Sequence, residues 1–270
     1  MNELSKRFSV NGVDLAWQDW GEGEPFVLCH GFSGSAHDFD LNVEALAERR
    51  RVVALDHRGH GRSTKLATTD GYSIAQLAAD LIALIDANVD APVDLLGHSM
   101  GGRIALELAL SRPDLVRSLV LMDTSAWSFV SPDPETRAMI EGFMASFDPA
   151  DGLPKMPPGP EDELIARSTP TAWQEVKDRL SAGFDPYALS ALGRELFGPG
   201  ISVRDRLGDI ACPVTVIVGS LDRPFVDQAP ELAGEVKDGE HVIIDGAYHS
   251  PQLTHGDEWH RAVEAHLARR

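Results

Sequence analysis

The stretch that constrains this chain most is Val93-Asp94-Leu95-Leu96-Gly97-His98-Ser99-Met100-Gly101-Gly102. A short apolar run ends in Gly-x-Ser-x-Gly, and Arg103 to Leu110 continues with apolar residues at Ile104, Ala105, Leu108 and Ala109, a helical period. Strand, sharp turn and helix form the setting in which a serine is thrust out at the carboxyl end of a strand, a nucleophile elbow. Such a turn strains the serine backbone, so its close neighbours must be small, which accounts for Gly97 and Gly101. Gly102 lets the helix pack near the sheet. The competing reading is a glycine turn with a helix-capping serine. The flanking strand and helix favour the nucleophile.

Apolar runs alternate with helical periods on both sides of that turn. Phe8 to Val10 and Val13 to Trp17 alternate around Asn11-Gly12, a hairpin signal for an antiparallel edge pair. Phe26-Val27-Leu28-Cys29 reads as a strand buried on both faces and runs into His30-Gly31-Phe32-Ser33-Gly34. A helix is predicted over 39–49 and a strand over Val52 to Leu55. Ser73 caps a further helix with Ile74, Leu77, Leu81, Leu84 and Ile85 on one face. Strands follow at Val116 to Met122, Val214 to Val218 and His241 to Asp245, with helices near 226–236 and 257–269. This alternation predicts an α/β fold, a mostly parallel twisted sheet with helices on both faces, whose ligands gather at the carboxyl ends of the strands.

Between 126 and 206 the pattern breaks. Pro149, Pro154, Pro157, Pro158 and Pro160 cluster, helical pieces occur at Glu161 to Arg167 and Thr171 to Leu180, and no strong strand is present. The prediction is a core domain of 1–125 and 207–270 with a helical cap insertion over 126–206.

A serine hydroxyl is a poor nucleophile and needs a base, which needs an orienting acid. Among the 10 histidines, His249 sits best, in Gly246-Ala247-Tyr248-His249-Ser250-Pro251 just past a strand. His241 opens that strand at the wrong end. His255, His260 and His266 fall on or near the last helix, where a solvated polar face is expected. Asp222, past the strand Val214 to Val218, is the favoured acid; Asp123, past the strand after the elbow helix, competes, and Asp227 is a third candidate. An acyl oxyanion needs preorganised donors, for which the Met100 and Phe32 N–H groups are the candidates. Phe32, His98 and Trp127 are expected in the substrate pocket. Trp127, Phe129, Met139, Phe143, Met144, Phe147, Trp173, Phe184 and Tyr187 are expected to divide between cap core and pocket wall.

A formal charge of -18 on 270 residues argues against nucleic acid or an anionic membrane as partner and disfavours polyanionic substrates. No cofactor is expected, since no Gly-x-Gly-x-x-Gly opens a helix and no Gly-Lys-Ser/Thr occurs. His57 and His60 lack further ligands at metal-site spacing, so Asp56-His57-Arg58-Gly59-His60-Gly61-Arg62-Ser63 is expected to be a structural loop and no metal is predicted. Cys29 and Cys212 read as small buried fillers. Met1 to Arg7 lacks the apolar core of a signal peptide and no run is long enough to span a bilayer, so the cytoplasm is expected, with the choice between monomer and homodimer left open.

In His30-Gly31-Phe32, Asp56 to Ser63, Gly97 to Gly102, Gly219-Ser220-Leu221-Asp222 and Gly246 to Pro251, in that order, the chain resembles the α/β-hydrolase fold family over nearly its whole length. Carried over by position, the resemblance implies Ser99 as nucleophile, Asp222 as acid, His249 as base, Phe32 and Met100 as oxyanion amides, and a cap. Serine at the elbow disfavours the epoxide hydrolase and dehalogenase branches, which carry aspartate there. Esterase, lactonase, carbon–carbon hydrolase and haloperoxidase-like branches keep serine. Carbon–carbon hydrolases usually resemble Gly-Asn-Ser at the elbow, where this chain has His98. The resemblance thus implies a carboxylesterase-type enzyme acting on a small-molecule ester, with ring-fission diketone hydrolase, lactonase or a slow-turnover ligand receptor as alternatives.

Overall fold

Asn11 and Gly12 take positive φ, 49° and 78°, the primed turn whose twist matches its flanking strands. They join β1 (Lys6–Val10) to β2 (Val13–Trp20), with Val10 opposite Val13. A computed structural model describes residues 5–127, 134, 135, 138, 142, 149, 159–169, 183–198, 202–223 and 225–269. Beyond the hairpin come β3 (Pro25–Cys29), β4 (Arg51–Leu55), β5 (Val93–His98), β6 (Val116–Met122), β7 (Val214–Gly219) and β8 (Gly239–Ile244). The described strands make one sheet in the order β1-β2-β4-β3-β5-β6-β7-β8, antiparallel on both sides of β2 and parallel thereafter.

The described helices are α1 (Val43–Ala47), α2 (Ile74–Asn88), α3 (Met100–Ser111), α4 (Pro160–Ser168), α5 (Pro186–Phe197), α6 (Phe225–Glu235), α7 (Pro251–Thr254) and α8 (Gly256–Leu267). Because strand side chains alternate, Val27, Cys29, Leu95 and Leu119 pack on one face with Leu81, Ile104 and Leu232 from α2, α3 and α6. Phe26, Leu28, Leu96 and Val120 pack on the other with Leu46, Trp259 and Val263 from α1 and α8. Burial on both faces is why these strands are continuous apolar runs. Cys29 lies level with Gly97, Gly97 with Leu121, Met122 with Ile217, and Gly219 with Ile244. The loops beginning at His30, Ser99, Asp123, Ser220 and Asp245 therefore leave one edge of the sheet together.

The helix predicted over 39–49 is divided. Ala36–Phe39 is a 3-10 turn held by a reciprocal cap between Ser35 and Asp38, and α1 is short. Asn42 separates the two because its side-chain amide donates to the Gln252 carbonyl at 3.0 Å, a bond only the folded chain can make. His266 is a second correction: it is 2% exposed, with Nδ1 paired to Thr215 Oγ1 at 2.8 Å. Helix α8 lays that residue on β7 instead of in solvent.

The segment from Asp56 to Ser63 is a structural loop with internal hydrogen bonds. Asp56 accepts the Ala36 and Arg62 N–H groups, both at 2.8 Å, and its carbonyl accepts the Ser63 hydroxyl. Arg58 Nε and NH2 reach the Asp80 carboxylate at 2.5 and 2.7 Å in a buried pair. The Gly59 carbonyl accepts the Asp185 N–H at 2.8 Å. The Asp185 carboxylate in turn accepts from Tyr72 OH at 2.7 Å and from the N–H groups of Ala67 and Tyr187 at 3.0 Å. A buried carboxylate so fully donated to seats α5 on the core.

Within 126–206, α4 falls where a helical piece is expected. Thr171 to Leu180, with Phe129, Met139, Phe143, Met144, Phe147 and Trp173, lies outside the described residues. No helix among the described residues is long and apolar enough to cross a membrane.

Candidate active site

Ser99 stands between β5 and α3 with φ 53° and ψ -114°, a left-handed conformation that a side chain rarely adopts. A Cβ on Gly97 would meet the Gly101 carbonyl at 2.3 Å, and one on Gly101 would meet the Cys29 carbonyl at 2.3 Å. Only glycine fits at either position. The Ser99 N–H donates to the Met122 carbonyl at 2.8 Å, which fixes the turn to the neighbouring strand.

His249 reaches over from the loop after β8. Its Nδ1 lies 2.8 Å from Asp222 Oδ2, in the loop after β7. Burial alone would lower the imidazole pKa, but the hydrogen bond and charge of Asp222 and the charge of Glu161 outweigh it, and the value stands above that of a free histidine. Asp123 completes a cluster: one ligand atom each from Asp123, Asp222 and His249 lie within 4.8 Å of one another. Asp123 Oδ1 accepts the Gly219 N–H at 2.9 Å, while Oδ2 is buried with no N–H or O–H donor. Burial, then the charge of Asp222, raises the Asp123 pKa well above the carboxylate range. Burial and the neighbouring charge thus favour the protonated form of Asp123, in which its carboxyl hydrogen-bonds Asp222. A metal could be held only by these residues among those described. Their mutual hydrogen bonds already account for the cluster as a chain from Asp123 through Asp222 to His249.

His98 sits beneath that chain. It is 5% exposed, and its Nε2 donates to the His249 carbonyl at 2.7 Å. That bond fixes the tautomer and leaves Nδ1 as a buried acceptor without a partner. Burial, then the neighbouring His249, pushes its pKa down to about 3, so the ring is neutral. His98 thus fastens the histidine loop to the elbow.

The loop after β3 passes directly over the elbow. A Cβ on Gly31 would lie 3.2 Å from His98 Nδ1 and 3.3 Å from Ser99 Cβ, so the Phe32 backbone enters beside the serine. Met100 is the first residue of α3, where an amide has no acceptor within the helix. His30 anchors the loop: Nδ1 donates to the Gly31 carbonyl at 2.8 Å and Nε2 accepts the His57 N–H at 3.0 Å. Its ring centroid lies 4.5 Å from that of His57 and 5.1 Å from that of His60. Burial brings His57 to about 3 and His60 to about 4, so the stack under the loop is uncharged.

A cavity of about 280 Å³ opens on this arrangement, lined by Phe32, His98, Ser99, His249 and, from α4, Glu161 and Ile165 among others. Phe32 and His98 are therefore at the cavity. Trp127 is not among its lining residues; its ring carries the Arg204 guanidinium at 4.7 Å instead. Asp227 is drawn away to Arg223, at 2.5 Å. Glu161 is a pocket residue that sequence reasoning recognised only as part of a helix. A proline at the first helical position signalled where α4 begins, but no local signal says which way Glu161 points. The thiols take no part: Cys29 is fully buried and Cys212 is pushed up to about 11 by burial.

Comparison with known proteins agrees with this geometry. Residues 24–256 match the profile of the alpha/beta hydrolase fold. A Variovorax paradoxus protein named provisionally as a carbamate hydrolase is 31% identical over 261 residues, covering 92% of this chain and 93% of its own. The (E)-2-((N-methylformamido)methylene)succinate hydrolase of Acinetobacter baylyi is 28% identical over 273 residues, 98% of each chain. A solved thermophilic esterase from Thermogutta terrifontis superposes with a TM-score of 0.80 at 24% identity, covering 98% and 99% of the two chains. The chain belongs to the alpha/beta hydrolase fold family.

Proposed function

We propose that this hydrolase cleaves carboxylic esters of small to medium, mainly apolar acyl groups through an acyl-enzyme on Ser99. The observation that carries the reading is the strained Ser99 on the same cavity wall as a His249 paired to Asp222 at 2.8 Å. His249 takes the Ser99 proton as the hydroxyl attacks the acyl carbon, and the N–H groups of Phe32 and Met100 receive the developing oxyanion. The Asp222 carboxylate holds the imidazolium while it passes its proton to the leaving alcohol. Water then repeats the sequence on the acyl-enzyme, returning Ser99. With its own proton retained, Asp123 leaves Asp222 free to serve His249.

A lactone is a cyclic ester and uses the same steps. Carbon–carbon cleavage also needs a carbon protonated before the bond breaks, and no described residue beyond the triad is placed for that task. The Acinetobacter relative is named for a succinate; a dicarboxylate in the cavity of this chain would meet Glu161 and Asp162. That contrast argues against a dianionic substrate. The test is turnover of p-nitrophenyl butyrate together with labelling by a fluorophosphonate. Multiple turnovers, and loss of both signals in Ser99→Ala, are expected. Labelling that persists in Ser99→Ala overturns the nucleophile, and a single burst equal to the enzyme concentration overturns the esterase reading.

A further inference from the structure

Unmet hydrogen-bond acceptors collect on the wall of the Ser99 cavity. Glu161, in the first turn of α4, has its carboxyl pKa raised by burial while the nearby charge of His249 and the Ser250 N–H and hydroxyl draw it down, and its Oε1 is buried with no partner. Gln252 is 2% exposed, lines the same cavity, and its side-chain Oε1 has no partner either. His98 adds Nδ1, an acceptor by virtue of its fixed tautomer. Buried polar atoms are normally satisfied, and a wall of orphan acceptors costs stability unless a ligand supplies donors. The carboxyl groups around them face no basic side chain other than histidine among the described residues. Asp38, Glu161 and Asp162 line the cavity, and no lysine or arginine does among the described residues. Asp162 is occupied by the Gly159 N–H at 2.8 Å, and Asp38 caps Ser35. Glu161 is left as the carboxylate with an open oxygen.

We propose that Glu161 is a specificity-determining residue that selects esters carrying a protonated amino group and rejects those carrying a carboxylate, with Gln252 and His98 as neutral co-acceptors. The inference rests on the ester-hydrolase reading of the site. The ammonium donates to Glu161 Oε1, a charge-assisted bond in a partly dry cavity. A carboxylate in its place would set two anions together with no lysine or arginine beside them among the described residues.

The experiment compares kcat/KM for length-matched esters in the wild type and in Glu161→Gln. Methyl 6-aminohexanoate, methyl heptanoate and monomethyl adipate place an ammonium, a methyl and a carboxylate at the same distance on the acyl side. A second series, 5-aminopentyl acetate against hexyl acetate, places the ammonium on the alcohol. In at least one series the wild type is expected to favour the ammonium over the methyl by about tenfold, with the adipate slowest in its series. That preference is expected to disappear in Glu161→Gln, and the ratio within one enzyme cancels any general effect on catalysis. A preference for the methyl in both series, or an ammonium preference that survives Glu161→Gln, overturns the proposal. If no ester turns over, the hydrolytic reading has failed, and calorimetric binding of hexylammonium and hexanoate decides the inference separately. Hexylammonium binding weakened about tenfold by Glu161→Gln sustains it; equal binding to both proteins overturns it.

Discussion

Replacing Asp123 with asparagine tests where the proton of the carboxyl pair resides. Asparagine is isosteric with a protonated aspartate and tolerates the left-handed backbone found there, φ 45°. Its oxygen keeps the Gly219 N–H, now 2.9 Å from Asp123 Oδ1, and its amide replaces the shared proton toward Asp222. If Asp123 is already neutral, nothing electrostatic changes at His249. If it were an anion, its charge would sit within 4.8 Å of the imidazole and be worth about 3.5 kcal/mol at an effective dielectric of about 20, or about 2.5 pH units. Partial exposure of His249 screens that figure, yet a shift of about one unit would survive. The assay is kcat/KM for a p-nitrophenyl ester across about pH 5 to 9, where the rising limb reports the free-enzyme base. The limb is expected to stay within about 0.3 unit of the wild type in Asp123→Asn. A downward displacement of about one unit or more would show that Asp123 is ionised and would refute the proton assignment.

Asp222→Asn is expected to lower turnover by on the order of ten-thousand-fold, because the imidazole loses its orienting charge; an equal or larger loss in Asp123→Asn would exchange their roles. Only neutral His249 accepts a proton and its folded-state pKa is raised, so activity should rise with pH through a value above 6.5, and Glu161→Gln should move that limb down. The same raised pKa gives His249 a stabilising contribution present below its unfolded value and lost as pH rises through the folded one, readable as a change in urea midpoint with pH. Asp80→Ala leaves Arg58, whose side chain is 3% exposed, buried without its partner and should cost about 3–5 kcal/mol in urea unfolding. Gly234→Ala, in α6 with open space around the added methyl, should stabilise by about 0.5–1 kcal/mol and raise Tm by about 2 °C in a thermal melt.

Much of this site is legible in the sequence because each part has a local signature. Val93 to Gly102 encodes strand, tight turn and helix within ten positions, and the glycines answer to steric contacts the turn itself creates. The hairpin at Asn11-Gly12 is legible for the same reason. What escapes is set by distance in space. Asp123 and Asp222 both stand at strand ends in the sequence; that they stand side by side follows from the pairing of β6 with β7, where Met122 meets Ile217. The break at Asn42 depends on a carbonyl 210 positions away, and the burial of His266 depends on Thr215. The direction of Glu161 depends on where α4 lies against α7, which helical periodicity does not record.

The bond from His98 Nε2 to the His249 carbonyl spans 151 positions. Synthesis runs from the N-terminus, so the elbow can form on β3, β5 and β6 long before the loop after β8 has left the ribosome. A nascent chain at that stage carries Ser99 without Asp222, His249 or the fastening of His98 to His249. β7 and β8 are the last strands to be synthesised and lie at the sheet's far edge. On the reading proposed above, Ser99 is placed early in synthesis and gains its partners only when the last two strands are made.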